Sequence, residues 1–285
     1  MIRILAIGDF HGRFPEKFKK IVQEENIDLV LSDGDYAGID EWRPLIKKMF
    51  RSLESGKEFS IEEHLGKKKY NALLKKDYAA GKLPLIELNK LNLRVFSVFG
   101  NGDWYRSIFN DSNRDYGKTL KKLKNIKDIN KGKARFNNLK IVGFGGYMNP
   151  DIYFKEKGMG AINSCEEKRV RRRKMLYDLW ERQLMRLMKI KPDILLAHYT
   201  PLNCLDKMKE KGFALSGSHM GVSSFNRALK KFKPALMICG HMHENQGKCN
   251  IGNTLVVNPG AAREGKAAII EFDDKKKKVI GVKFI

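Results

Sequence analysis

Gly8-Asp9-Phe10-His11-Gly12 abruptly ends the apolar run Ile2 to Ile7, and the reading of this stretch decides the fold. An aspartate and a histidine two residues apart, just past a strand, can aim a carboxylate and an imidazole at one point, and both are ligands for a divalent metal. Taken alone, Asp-x-His is equally a loop with two polar residues. The pattern recurs, however. Asp28 to Leu31 leads into Ser32-Asp33-Gly34-Asp35, and Arg94 to Phe99 into Gly100-Asn101-Gly102-Asp103. Asp193 to Ala197 ends at His198, and Ala235 to Cys239 at Gly240-His241-Met242-His243. In an open α/β sheet, sites assemble beyond the carboxyl ends of the strands. Asp9, His11, Asp35, Asn101, His198, His241 and His243 can therefore converge, and they use four of the chain's six histidines.

The ordered set Asp-x-His, Gly-Asp, Gly-Asn, His and Gly-His-x-His resembles the calcineurin-like metallophosphoesterases, from Gly8 to the Asn258-Pro259-Gly260 turn. The resemblance implies an α/β fold, a two-sheet β-sandwich flanked by helices. It also implies two divalent ions, one held by Asp9, His11, Asp35 and His243 and the second by Asp35, Asn101, His198 and His241, with Asp35 bridging. Two ions about 3.5 to 4 Å apart clamp a phosphoryl group and lower the pKa of a water between them, and the resulting hydroxide is the nucleophile. Asn101 adds an oxygen ligand without charge. The mixed His, Asp and Asn set suits manganese, and also iron, zinc, cobalt or nickel, better than calcium or magnesium.

One position departs from the family, which usually reads Gly-Asn-His-Asp or Gly-Asn-His-Glu, the histidine assisting the leaving group. This chain has Gly102 there. Loss of a general acid typically removes a factor of about 10² to 10⁴ with poor leaving groups. His219, in the loop between His198 and His241, is the local candidate to replace it; the alternative is an exposed loop histidine. Trp104, Tyr105 and Arg106 directly follow the Asn101 motif and can stack on a base and hold a phosphate, or pack the loop against inserted helices. Arg172 belongs to the cluster Arg169, Arg171, Arg172 and Arg173 near the start of a helix whose N-terminal end faces the metal edge. There it either binds flanking phosphates or is a solvated helix end.

The remaining chain frames these motifs. Its 285 residues and 42% hydrophobic fraction support one domain over 1–285, with a helical insertion at about 36–88 and an elaborated segment at about 103–190. The net charge of +23 favours nucleic acid, nucleotides or other polyanions as partners, or is a lysine-rich solvated surface. Cys165, Cys204, Cys239 and Cys249 show no Cys-x-x-Cys spacing and are expected to be reduced. No run has the length of a membrane span, and too few residues precede Gly8 for a signal peptide, so a cytoplasmic location is expected. Helices are expected at Pro15 to Glu25, from Trp42, after the capping box Ser60-Ile61-Glu62-Glu63 (with His64 on its surface), and after Ser164-Cys165-Glu166-Glu167 to about Lys189. Leu176, Leu179, Trp180, Leu184 and Leu187 are the expected buried stripe of the last. Hairpins are expected around Asn137-Asn138 and Asp273-Asp274-Lys275. The function these features point to is hydrolysis of a nucleotide-type or nucleic-acid phosphodiester. A broad phosphomonoesterase and a non-catalytic metallo-domain that binds nucleic acid or protein are the alternatives.

Overall fold

Apolar runs too short for helices become strands here, and their alternation sorts side chains between two cores. The computed structural model describes residues 1–55, 59–104, 114–147, 165–209 and 216–285, with the backbone alone for 53, 54 and 165–174. Among these residues one sheet contains β1 (Ile2–Ile7), β2 (Leu29–Ser32), β3 (Arg94–Ser97), β4 (Ile126–Asp128), β11 (Ala268–Asp273) and β12 (Lys278–Phe284). The other contains β5 (Gly132–Phe136), β6 (Leu139–Phe144), β7 (Ile194–Ala197), β8 (Leu236–Ile238), β9 (Gly247–Ile251) and β10 (Thr254–Asn258). Their orders are β12-β11-β1-β2-β3-β4 and β5-β6-β7-β8-β10-β9. β1 through β4 run parallel, as do β6, β7, β8 and β10, while the hairpin strands add antiparallel edges.

The alternation is legible along β1. Ile4 and Ala6 face the second sheet and pack with Ile194, Leu196, Leu236 and Ile238, whereas Leu5 and Ile7 face outward to helices. The first sheet is covered by α1 (Lys17–Glu24), through Phe18 and Val22, and by α4 (Lys67–Lys90), through Leu85 and Leu88. Between them lie α2 (Trp42–Glu54) and α3 (Ile61–Leu65), the latter capped by Ser60, whose Oγ accepts from Glu63 N at 3.3 Å. His64 is exposed on α3. α5 (Tyr116–Leu120) completes that side. The second sheet is covered by α6 (Cys165–Met188) and α7 (Ser223–Phe232). The result is the layering helix, sheet, sheet, helix, with both central sheets buried on two faces.

Two expectations need correction. Leu176 and Leu179 are 45% and 47% exposed. Among the described side chains of α6, Trp180, Leu184 and Met188 recur every four residues and are buried, and Trp180 packs 4.5 Å from Phe144. Cys204 and Cys249 form a disulfide, Cα to Cα 6.2 Å, tying the loop after β7 to β9, so they are not free thiols. Cys239 is buried and free. β4 and the β9–β10 hairpin were not expected from the sequence: β4 is three residues long with one buried side chain, and β9 carries only a weak alternation. Ser164 of the second capping box lies outside the described residues. Among the described residues no helix is long and apolar enough to cross a membrane.

Candidate active site

Five strand ends meet at one edge of the sandwich: β1 delivers Asp9 and His11, β2 Asp35, β3 Asn101, β7 His198, and β8 His241 and His243. Asp9, His11, Asp35 and His241 all have positive φ, between 48° and 68°. Such backbone costs about 1 to 3 kcal/mol per residue and persists where the surroundings over-determine it. Here it turns each side chain inward straight after its strand. Two glycines make the turns dense. A Cβ on Gly100 would lie 2.0 Å from Asp35 Oδ1, and one on Gly240 would lie 2.8 Å from Asp9 Oδ2.

Donor atoms of Asp9, His11, Asp35 and His243 fall within 4.8 Å of one another, and so do those of Asp35, His198 and His241. Asp35 belongs to both groups. The ring orientations are fixed from behind. His11 Nδ1 donates to Gly38 O at 2.8 Å and His198 Nδ1 to Asp33 O at 2.9 Å, which leaves each Nε2 as a bare lone pair. His198 Nε2 meets Asn101 Oδ1 at 3.0 Å, one acceptor against another with no proton between them. His11 Nε2 lies 2.9 Å from His243 Nε2, and Asp9 Oδ1 is buried without a hydrogen bond, 3.3 Å from the same nitrogen. Buried lone pairs that face one another are the arrangement a cation satisfies, so the residues present fit divalent ions.

The electrostatics agree. Burial, reinforced by Asp9, pushes Asp35 up to about 7. Burial holds His11 and His241 down at about 3, neutral and ready to ligate, and also lowers His198. For Asp9 burial acts upward, but the charge of His243, 3.3 Å away, outweighs it and keeps the carboxylate ionised. His243 is the counterpart: burial opposes its charge and Asp9 restores it, leaving its pKa above the ordinary value.

A second set of carboxylates holds the site and was not recognised from the sequence. Asp103 is fully buried and takes four backbone N–H groups: Oδ2 from Asp35 at 2.9 Å and Gly100 at 2.8 Å, Oδ1 from Tyr36 at 2.7 Å and Ala37 at 3.1 Å. Asp77, on α4, accepts from Gly38 N and Ile39 N. Its Oδ2 takes Trp104 Nε1 at 2.7 Å. Trp104 is 2% exposed and packs against Tyr78, so the structure corrects its reading as a base-stacking platform: it is a strut between the Asn101 loop and α4. Asp33 is buried beneath Asp9 and His198 with neither oxygen hydrogen-bonded; burial, then the charges of Asp9 and Asp35, raise its pKa well above the carboxylate range. Only its place two residues before Asp35 signals it.

Tyr105 and Arg106 lie outside the described residues, as does the side chain of Arg172. His219 is not in contact with the seven clustered residues. It sits in the loop after β7, its Nδ1 2.7 Å from Oδ1 of the buried Asp206, and that loop is joined to the His243–Asn245 turn where Asn245 Nδ2 donates to Lys207 O at 2.8 Å.

The family model described as "Metallophosphoesterase, calcineurin superfamily" matches residues 1–282, so the chain belongs to that superfamily and is a metal-dependent phosphoesterase. One solved crystal structure is 21% identical with a TM-score of 0.63, covering 99% of this chain and 98% of that one. The crystal structure of a Thermus thermophilus protein, TT1561, is 17% identical with a TM-score of 0.55, over 99% and 98% of the two chains. These likenesses show the fold alone. No curated protein matches the chain significantly.

Proposed function

We propose that this phosphoesterase hydrolyses phosphodiesters of nucleotide or nucleic-acid type at two divalent ions, one held by Asp9, His11, Asp35 and His243 and the other by Asp35, Asn101, His198 and His241. The observation that carries this reading is the convergence of seven buried or half-buried donors at one point, among them His198 Nε2 and Asn101 Oδ1, which meet at 3.0 Å as two acceptors. When bound, the ions supply an acidified water and neutralise charge on the phosphoryl oxygens; the donor set suits manganese first, then iron, zinc, cobalt or nickel.

The chain's own groups do the rest. Gly102 N donates to Asp35 Oδ1 at 2.8 Å and fixes the carboxylate common to both donor groups, while the Gly38 and Asp33 carbonyls fix the imidazoles of His11 and His198. Asp103 holds the backbone of Asp35 through Ala37 in its strained turn. The position after Asn101 is glycine, so it supplies no side chain to protonate a leaving group. That favours esters whose leaving group departs with little help. The imidazole of His219, half exposed and held through Nδ1 by Asp206, is the proposed supplementary proton donor. A net charge of +23 draws polyanionic diesters toward the molecule.

The test is hydrolysis of an aryl phosphodiester and an aryl phosphomonoester side by side, with manganese restored after chelation and Asp35→Asn as control. Metal-dependent diester cleavage that the variant loses supports the proposal. Cleavage of the monoester alone would make the protein a phosphomonoesterase, and no turnover with two ions bound would make it a binding module.

A further inference from the structure

At the rim of the His11 and His243 side lies an ion cluster that no step above uses. Arg13 Nη2 reaches Asp40 Oδ2 at 2.7 Å, and Arg263 Nη1 reaches Asp40 Oδ1 at 2.7 Å. Each member is anchored to a site residue. Arg13 follows His11 by two positions, and Asp40 follows by two the Gly38 whose carbonyl orients His11. Arg263 closes a turn laid along β1, in which Ala262 N donates to Gly8 O at 2.8 Å and Arg263 N to Asp9 O at 3.4 Å.

The charge of this cluster does not balance locally. Arg263 Nη2 also lies 3.9 Å from Glu264 Oε1, but Glu264 is itself paired with Lys266 at 2.7 Å, so three cations share two carboxylates, the cluster carries +1, and it stands beside a centre built for divalent ions. The Arg263 side chain is only 12% exposed, yet its charge reaches His11 and His243 and disfavours protonating either. Asp40, in contrast, is 47% exposed, where an ion pair is screened and weak. A positive group next to cations is stabilised when an anion lies between them. Each guanidinium retains N–H groups in a planar fork suited to phosphate oxygens.

We infer that Arg263 and Arg13 form a subsite for a second, non-scissile phosphate of the substrate, on the His11 and His243 side, with Asp40 holding the two guanidinium groups until that phosphate arrives. The inference rests on the phosphodiesterase reading and narrows it to diesters bearing a further phosphate, such as nucleotides phosphorylated at both ends or oligonucleotides.

Two substrates separate the ideas: thymidine 5′-(p-nitrophenyl phosphate), and the same ester with a 3′-phosphate. The manganese-loaded wild type is expected to prefer the phosphorylated ester in kcat/KM. Arg263→Gln should lower that preference about tenfold, and Arg13→Gln, at a side chain 66% exposed, by a smaller factor without risk to folding. Asp40→Asn is the decisive variant. It breaks both pairs with Asp40 while keeping both guanidinium groups, Arg263 retaining only its 3.9 Å contact with Glu264, so the preference should rise. If Arg263 were only a structural tie, Asp40→Asn and Arg263→Gln would act alike on both esters, and that result would overturn the subsite. Calorimetric binding of thymidine 3′,5′-bisphosphate against thymidine 5′-monophosphate provides a readout independent of turnover, with the bisphosphate about tenfold weaker in Arg263→Gln. Turnover of both esters with no preference refutes the subsite alone. No turnover of either refutes the diesterase reading, and the calorimetry then decides the subsite.

Discussion

Replacing Asp103 by asparagine tests whether the site is held from behind as described. The carboxylate is fully buried and divides four N–H donors between its two oxygens, Asp35 and Gly100 on Oδ2, Tyr36 and Ala37 on Oδ1. Asparagine keeps one acceptor oxygen, so in either orientation two backbone N–H groups face an NH₂ that cannot accept. A buried donor left without a partner costs about 1 to 3 kcal/mol, which makes the expected loss about 2 to 6 kcal/mol. That is a large share of the roughly 5 to 15 kcal/mol that stabilises a domain. Urea unfolding of the metal-free protein should be run at pH 8, above the value of about 7 to which burial and then Asp35 push Asp103, so that the wild-type group is ionised. The same change frees Asp35 from its left-handed backbone, with φ 52°, so manganese affinity should fall at least tenfold in a competition titration. A stability loss under about 1 kcal/mol with unchanged affinity would refute the reasoning.

Metal affinity should itself depend on pH in a definite sense. Asp35, raised to about 7 by burial and then by Asp9, and His243, whose charge burial opposes and Asp9 restores, each hold a proton that an incoming ion must displace, while His11 and His241, held near 3 by burial, offer no competition above pH 5. Affinity therefore climbs by up to about two log units per pH unit while both are protonated and levels once both have lost their protons; titrations from pH 5.5 to 8.5 that gave a flat line would contradict this. Gly102→His is expected to raise alkyl diester hydrolysis by as much as about 10² relative to aryl diesters. The site has room, since a Cβ there meets its nearest neighbours, Ala37 O and Asp35 Oδ1, at 3.4 Å. An unchanged alkyl-to-aryl ratio would mean that leaving-group protonation does not limit the reaction. His219→Gln should lower the same ratio about tenfold if the imidazole donates the proton, and turnover equal to wild type on the alkyl ester would remove His219 from the chemistry.

The fold was legible where one signal sufficed. A parallel strand buried on both faces must be continuously apolar, and the residue that ends it at the open edge must be polar and small-flanked, so β1, β2, β3, β7 and β8 announced themselves together with what they carry. α6 was legible as a helix but not in its contacts. Leu176, Leu179 and Trp180 are equally apolar, yet that Trp180 is the one buried depends on where Phe144 and Phe225 stand, and these belong to other elements. The Cys204–Cys249 pair spans 45 residues and has no spacing rule.

The candidate site divides along the same line. Residues proposed to touch metal are constrained by chemistry to a few side-chain types, so type and order give them away. Residues that hold those side chains are constrained only by geometry. Asp103 and Asp77 look like any loop or helix aspartate until the backbone N–H groups of residues 35 to 39 are seen pointing at them. Trp104 shows the ambiguity most sharply. An indole beside this loop has one polar atom, and whether the ring is a platform or a strut depends on where that N–H finds its acceptor; Asp77, 27 residues earlier on α4, supplies it. α4 therefore does more than cover the sheet. Through Asp77 it takes part in fixing Gly38, whose carbonyl orients His11, so a change in α4 reaches the His11 side through two hydrogen bonds.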